Sequence, residues 1–297
     1  MITTIIFSKN RPLQLDLCLQ SLKRFNTGTK PDVVVIYDCD DEYEGAYREL
    51  QNEYRTSVIG QFSFWKQGPS LFKDVKLAIE SSDHGLICFL TDDSFFYRET
   101  LVMDKEFLDL VFSNAVCSIA LRLGGNINRR ATGRKEEPWI PNPFHWLENL
   151  AISAIANHDC YVYNRTQHLL SSYWNYPQTL DGSIFPKEDI LEWVTELHYL
   201  EPLKKWVQTP NGIETGLQRF VGLAKPLIVF PTQSCVVNSP NNMVQSDFMN
   251  RSGEYFPLKE HDLLEMFESN IRIDLDKLVT PAIFCPHQEI DILQGWK

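Results

Sequence analysis

Along the first part of the chain, short and largely apolar runs alternate with stretches whose apolar residues recur every third or fourth position. Runs of the first kind are Thr3 to Phe7, Val33 to Tyr37, Val58 to Trp65, Leu86 to Leu90 and Val116 to Leu121. Short apolar runs bounded by Gly or charge predict strands buried on both faces. The second pattern predicts a helix over Leu13 to Phe25, carrying Leu15, Cys18, Leu19 and Leu22 on one face, with Pro12 at its start. Further helices are expected at Tyr43 to Tyr54, at Leu71 to Ser81 and near Lys105 to Ser113. Strands alternating with helices imply parallel units joined by right-handed crossovers. The fold class expected is therefore α/β, a mostly parallel sheet flanked by helices.

The pattern changes after Arg122. Gly124-Gly125-Asn126 and the stretch through Pro138, Trp139, Pro141, Pro143, Phe144, His145 and Trp146 combine turn formers with aromatics. A long aromatic loop at a sheet edge usually serves a site, and Trp139 and Trp146 suit the apolar face of a sugar; they equally suit a flap over the core. Beyond it we expect a strand within Ala151 to Tyr163, a short helix at Thr166 to Tyr173, and a longer helix opened by Pro186. Strands at Leu227 to Phe230 and Ser234 to Val237 and a helix at Glu260 to Glu268 complete the set. Residues 1–122 read as one half of the molecule and 123–297 as a second, mixed half of the same domain.

Composition adds limits. A chain of 297 residues can bury a substantial core, and its formal net charge of −11 argues against non-specific binding to nucleic acid or an anionic membrane. No apolar run approaches the length of a membrane span, and the beginning of the sequence has no charged, long-apolar leader pattern. The seven cysteines are scattered, odd in number and never spaced as a zinc site. A cytoplasmic protein is the expectation.

The densest chemistry lies in Gly85 to Phe96, where the apolar run Leu86 to Leu90 meets Thr91, Asp92 and Asp93. Carboxylates at the carboxyl end of a buried strand sit where open α/β sheets bind ligands. Two adjacent carboxylates repel, so one protonates or a cation joins them, and hard ions such as Mg2+ or Mn2+ commonly bridge carboxylates to phosphates. The plainer alternative is that both Asp side chains cap the following turn. The second strand also ends in acid, at Asp38-Cys39-Asp40-Asp41.

Taken together, Ile5 to Pro12 with Leu15, Leu19, Ser21 and Leu22, the strand ending in Asp38, and Phe89-Leu90-Thr91-Asp92-Asp93-Ser94 resemble the GT-A nucleotide-sugar glycosyltransferases, especially the bacterial family 2-like enzymes. The resemblance covers the first 122 residues fairly well and the remainder loosely. It implies a Rossmann-like GT-A sheet and inverting sugar transfer from a nucleoside-diphosphate sugar, a UDP-sugar being favoured. The acceptor would be a saccharide or another hydroxyl compound, and the cofactor Mn2+ or Mg2+. Thr91 departs from the acidic pattern, leaving Asp93 as the implied metal ligand and Asp92 near the ribose or a metal-bound water, with His287 of the C-terminal tail as a third ligand, although a lone His more often has a structural role. Ser8, Arg11, Asp38 and Lys73 fall to the nucleotide pocket, although Arg11 also suits a surface ion pair and Lys73 a solvated helix position.

A transferase of this kind needs a carboxylate to take the acceptor's proton. Asp181, beside the flexible Gly182, is the first choice, and Asp189 of the Glu188-Asp189 pair competes with it, although acids at a helix start also serve the helix dipole. Asn242, within Asn241-Asn242, could bind sugar hydroxyls or belong to a turn. Two other classes remain in view. A sugar-phosphate nucleotidyltransferase needs a Gly-rich first loop, and Ser8-Lys9-Asn10-Arg11-Pro12 has no glycine. A non-catalytic nucleotide- or sugar-binding protein is kept alive by Thr91.

Overall fold

The computed structural model describes residues 2–25, 31–58, 60–99, 105–113, 115–129, 160–164, 176, 178–200, 209–220, 225–244, 252–278 and 282–294. The expected helix at Thr166 to Tyr173 and both tryptophans, Trp139 and Trp146, lie outside them.

Strands β1 (Ile2–Lys9), β2 (Asp32–Asp38), β3 (Gln61–Lys66) and β4 (Leu86–Thr91) are joined by helices α1 (Pro12–Phe25), α2 (Glu44–Arg55) and α3 (Leu71–Ser81). They pair in parallel in the order β3-β2-β1-β4. Beyond β5 (Ser94–Phe96) and α4 (Lys105–Phe112) come β6 (Val116–Ala120), β7 (Cys160–Asn164), β8 (Ser183–Pro186), α5 (Lys187–Leu200) and α6 (Pro210–Leu217). The chain continues with β9 (Leu227–Pro231), β10 (Val236–Asn238) and α7 (Glu260–Glu268). The main sheet is completed as β3-β2-β1-β4-β8-β6-β9-β7, with β8 antiparallel to both β4 and β6 and β7 antiparallel to β9. This is the expected class, a mostly parallel α/β sheet flanked by helices. The sheet draws on both halves, because β8 lies between β4 and β6.

Alternation along the strands explains the layers. Ile6, Val33, Val35, Cys88 and Leu90 face one core with α1, α2, α4 and α7. Ile5, Phe7, Val34, Ile36, Ile87 and Phe89 face the other with α3, α5 and α6. Both faces being covered, these strands read as continuous apolar runs in the sequence. The third strand begins at Gln61, three residues after its expected start, and Val58 is 86% exposed.

Strand β8 and helix α6 have no counterpart in the sequence reading. Four residues are too few to show a period, and Pro186 signals a helix start more strongly than a strand end. Helix α6 carries its own start signal, Thr209 accepting from the Gly212 backbone N–H at 3.1 Å with Pro210 in the first turn. The short β5 pairs with β10 in a second, two-stranded sheet, with Ser94 opposite Asn238.

Candidate functional site

The strand order reverses between β1 and β4: the chain builds outward through β2 and β3, then returns to β1's other side. In open α/β sheets the crevice at such a reversal, at the carboxyl ends of the strands, is where ligands bind. Here it is bounded by Ser8 to Arg11 at the end of β1 and by Thr91 to Asp93 at the end of β4.

The turn leaving β1 needs no glycine because Asn10 takes the left-handed conformation, φ 51°, which Asn tolerates better than most residues. Its side chain donates to Asp40 Oδ2 at 2.7 Å and accepts from the Asp40 backbone N–H at 3.0 Å, tying the ends of β1 and β2 together. Arg11 is thereby directed inward. One of its terminal nitrogens, Nη1, donates to Asp92 Oδ1 at 3.0 Å and Asp93 Oδ2 at 2.9 Å, and Nη2 donates to the Asn242 carbonyl. The remaining Asp92 oxygen accepts from Ser8 Oγ at 2.9 Å and the Lys9 backbone N–H at 3.0 Å, and the remaining Asp93 oxygen from Asn238 Nδ2 at 2.6 Å. Burial pushes the Asp92 carboxyl up to about 6 despite the opposing charge of Arg11, with Asp93 adding to the rise. Burial works against the Arg11 charge, but Asp92 and Asp93 more than offset it and hold its pKa above the usual value.

A second cluster adjoins the first through Thr91. Its Oγ1 donates to Asp181 Oδ1 at 3.0 Å and accepts from Asn238 Nδ2 at 3.1 Å. Asp181 Oδ2 lies 3.0 Å from His287 Nε2 and 3.7 Å from Arg122 Nη1, which is itself 3.2 Å from His287 Nε2. Three distant segments supply these groups. Asp181 precedes β8, whose antiparallel direction brings it to the carboxyl edge, with Gly182 N donating to Phe89 O at 2.7 Å. Arg122 follows β6 and is 1% exposed. His287 arrives through a bridge to Asn238. Burial alone would raise the Asp181 pKa, but the hydrogen bond and charge of His287, then Arg122 and Thr91, hold it below the usual carboxylate value.

Gly182 sits at φ 82°, and an added Cβ would lie 3.3 Å from the Val236 side chain. Gly182→Ala should therefore cost about 1–2 kcal/mol from the left-handed backbone alone, measurable by urea unfolding. Because Asp181 is the next residue, its contact with His287 should loosen as well.

Glu214 of α6 joins from behind, accepting from the Leu180 backbone N–H at 3.0 Å. Burial and the Asp181 charge push it up to about 7. A carboxyl raised in the folded state favours folding fully below its unfolded value, and that contribution fades as pH climbs through the folded value. Glu214→Gln keeps an acceptor for Leu180 and removes the ionisation. The variant should match the wild type near pH 4 and exceed it by about 3 kcal/mol at pH 8, as read from melting curves.

Of the residues expected to act, Ser8, Arg11, Asp92, Asp93, Asp181, His287 and Asn242 are brought together. Asp38 stands at the rim, 2.8 Å from Lys9 Nζ. Lys73 is exposed in the first turn of α3. Asp189 does not join: it begins α5 beyond β8, at the opposite edge of the sheet from Asp181, and pairs with Lys225. Its presence at a helix start is explained by the dipole. Sequence reading passed over Arg122, Asn238 and Glu214. A charge closing a buried strand was a usable signal for Arg122, whereas Asn238 and Glu214 gave none.

Manganese or magnesium held by Asp93 and His287 does not fit this arrangement. All four oxygens of Asp92 and Asp93 already accept hydrogen bonds, and His287 is turned to Asp181. Among the described residues no group of three His, Cys, Asp or Glu side chains converges as a metal site. Drawing both carboxylates onto an ion would also strand Arg11, and breaking a buried ion pair costs about 3–5 kcal/mol.

No family model matches the sequence, and no curated protein matches it. Among solved structures the chain is similar to S. aureus TarS 1-349, at 13% identity and a TM-score of 0.45 over 79% of this chain and 59% of that one. TarS 1-349 in complex with UDP aligns at 14% identity and a TM-score of 0.47, covering 93% of this chain and 68% of that one. The complex with UDP-GlcNAc gives 14% and 0.43, over 79% and 57%. The chain thus spans between half and about two thirds of these structures, and likenesses of this degree assign neither family nor activity.

Proposed function

We propose that this chain is a glycosyltransferase that moves a sugar from a nucleoside diphosphate, UDP foremost, to a hydroxyl acceptor. The observation that carries the reading is the meeting of two polar clusters at the β1–β4 crevice. One centres on Arg11 with Asp92 and Asp93, the other on Asp181 with His287 and Arg122. The first offers a buried guanidinium beside Ser8 and Asn242, a combination suited to phosphate and ribose oxygens. Asp38, at the end of the neighbouring strand, is in position for the nucleoside. Arg11 and Asn242, expected for donor and acceptor respectively, meet on one wall, so Asn242 belongs with donor binding in this reading.

Asp181 supplies the base. Kept ionised by His287 and Arg122, it is a carboxylate ready to take the proton of an acceptor hydroxyl as that oxygen attacks the anomeric carbon. The bond to the diphosphate breaks as the new glycosidic bond forms, so a single displacement inverts the anomeric centre. His287, on the same carboxylate oxygen, steadies the charge before and after transfer. Arg122, 1% exposed, holds both in place from beneath.

The test is nucleotide release. The chain is incubated with UDP-, GDP- and CMP-sugars, with and without mono- and disaccharide acceptors, and the anomeric configuration of any product is read by NMR. Release of UDP with an inverted product supports the reading. Tight nucleotide binding with no release from any donor would favour a binding protein instead.

A further inference from the structure

Resting on the donor reading above, we infer that Arg11 is itself the cation of the acidic pair and that the nucleoside diphosphate binds here without a divalent ion. A single Arg11 nitrogen lies 3.0 Å from Asp92 and 2.9 Å from Asp93, the position an ion bridging the two carboxylates would take. The other two oxygens of the pair are closed by Ser8, the Lys9 backbone and Asn238. An incoming ion would have to replace protein donors at every oxygen rather than water.

Arg11 also has capacity left for an anion. It is 7% exposed, and its Nε has no hydrogen-bond partner among the described residues. Nor has Nδ2 of Asn242, the residue whose carbonyl accepts from the same guanidinium. Two unpartnered N–H donors around a buried, permanently charged fork match the oxygens of a diphosphate. The acidic rim is thus compensated from within the fold, Arg11 against Asp92 and Asp93, and Arg122 against Asp181.

Two measurements on the full chain decide the matter: Mn2+ uptake by electron paramagnetic resonance without nucleotide, and UDP binding by calorimetry in EDTA and in Mn2+. The wild type is expected to take up no stoichiometric Mn2+ and to bind UDP with the same affinity in both buffers. Arg11→Met releases the carboxylates, so this variant is expected to acquire Mn2+ and to melt at higher temperature when it is present. Arg11→Lys keeps the charge but not the fork, and should bind UDP about tenfold or more weakly in both buffers; it serves if the methionine variant does not fold. Wild-type Mn2+ uptake that Asp93→Asn abolishes, or UDP binding that appears only with Mn2+, overturns the inference. No UDP binding in either buffer would instead overturn the donor reading, and the Mn2+ measurement would still decide what the acidic pair holds.

Discussion

Asp181→Asn should lower the rate of sugar transfer by about 10²–10⁴-fold while leaving nucleotide affinity nearly unchanged. That is the range a positioned general base contributes, and the side chain's partners, Thr91, His287 and Arg122, are separate from those of Asp92. Asparagine still accepts from Thr91 but cannot take a proton. The substitution also leaves the buried Arg122 without its carboxylate, so melting temperature should be measured alongside turnover. Intact UDP binding with lost transfer would assign the base; equal loss of both would mean collapse of the crevice. Since His287 and Arg122 hold Asp181 below the ordinary carboxylate value, mild acidification should not switch the base off. An acidic limb in the rate profile near pH 6 would point to Asp92, which burial pushes up to about that value.

Arg11→Ala should destabilise the fold by about 3–5 kcal/mol, the usual cost of leaving buried charge without its partner, or roughly 10 °C in melting temperature. Asp92 and Asp93 would then face each other with no guanidinium between them. The defect should shrink on acidification, starting above pH 6, because losing Arg11 removes the charge that lowers the Asp92 pKa and lets the carboxyl shed its own charge by protonation. The exposed pair of Lys9 and Asp38, with side chains 47% and 44% exposed, makes the control. Lys9→Ala should change stability by less than about 1 kcal/mol. A comparable loss in both variants would show that Arg11 contributes no more than a surface charge.

Much of the fold was legible because the physics that writes it is local. The buried strands β1, β2, β4 and β6 are short apolar runs, and α1, α2 and α3 carry one apolar face each, so their order along the chain already implied a parallel sheet. What escaped was specified by distant partners. Ser183 to Pro186 forms a strand only because β4 and β6 each present an open side to it. Ser94 to Phe96 does so only because Val236 to Asn238 lies opposite.

The site shows the same division. Asp92 and Asp93 stood out as paired acids at the carboxyl end of a buried strand, and Asp181 as an acid beside a flexible Gly. Arg11 was expected in the nucleotide pocket or in a surface ion pair; its contact with both Asp92 and Asp93 was not legible, since nothing local says that Asn10 bends it inward. Asn238 and His287 come together through a bridge between segments far apart in the chain, which no spacing announces. Asp189 had the right residue type and the wrong edge: one antiparallel strand separates it from Asp181.

The placement of β8 between β4 and β6 has a bearing on how the polypeptide is made. As a nascent chain leaves the ribosome, β1 to β4 can pair at once, yet the outer side of β4 keeps its backbone groups unmatched until residues 183–186 have emerged. An unmatched, apolar strand margin is a template for joining another molecule. Slowed synthesis or truncation before that point should therefore yield intertwined dimers or insoluble material, and co-expression of the missing segment should suppress them.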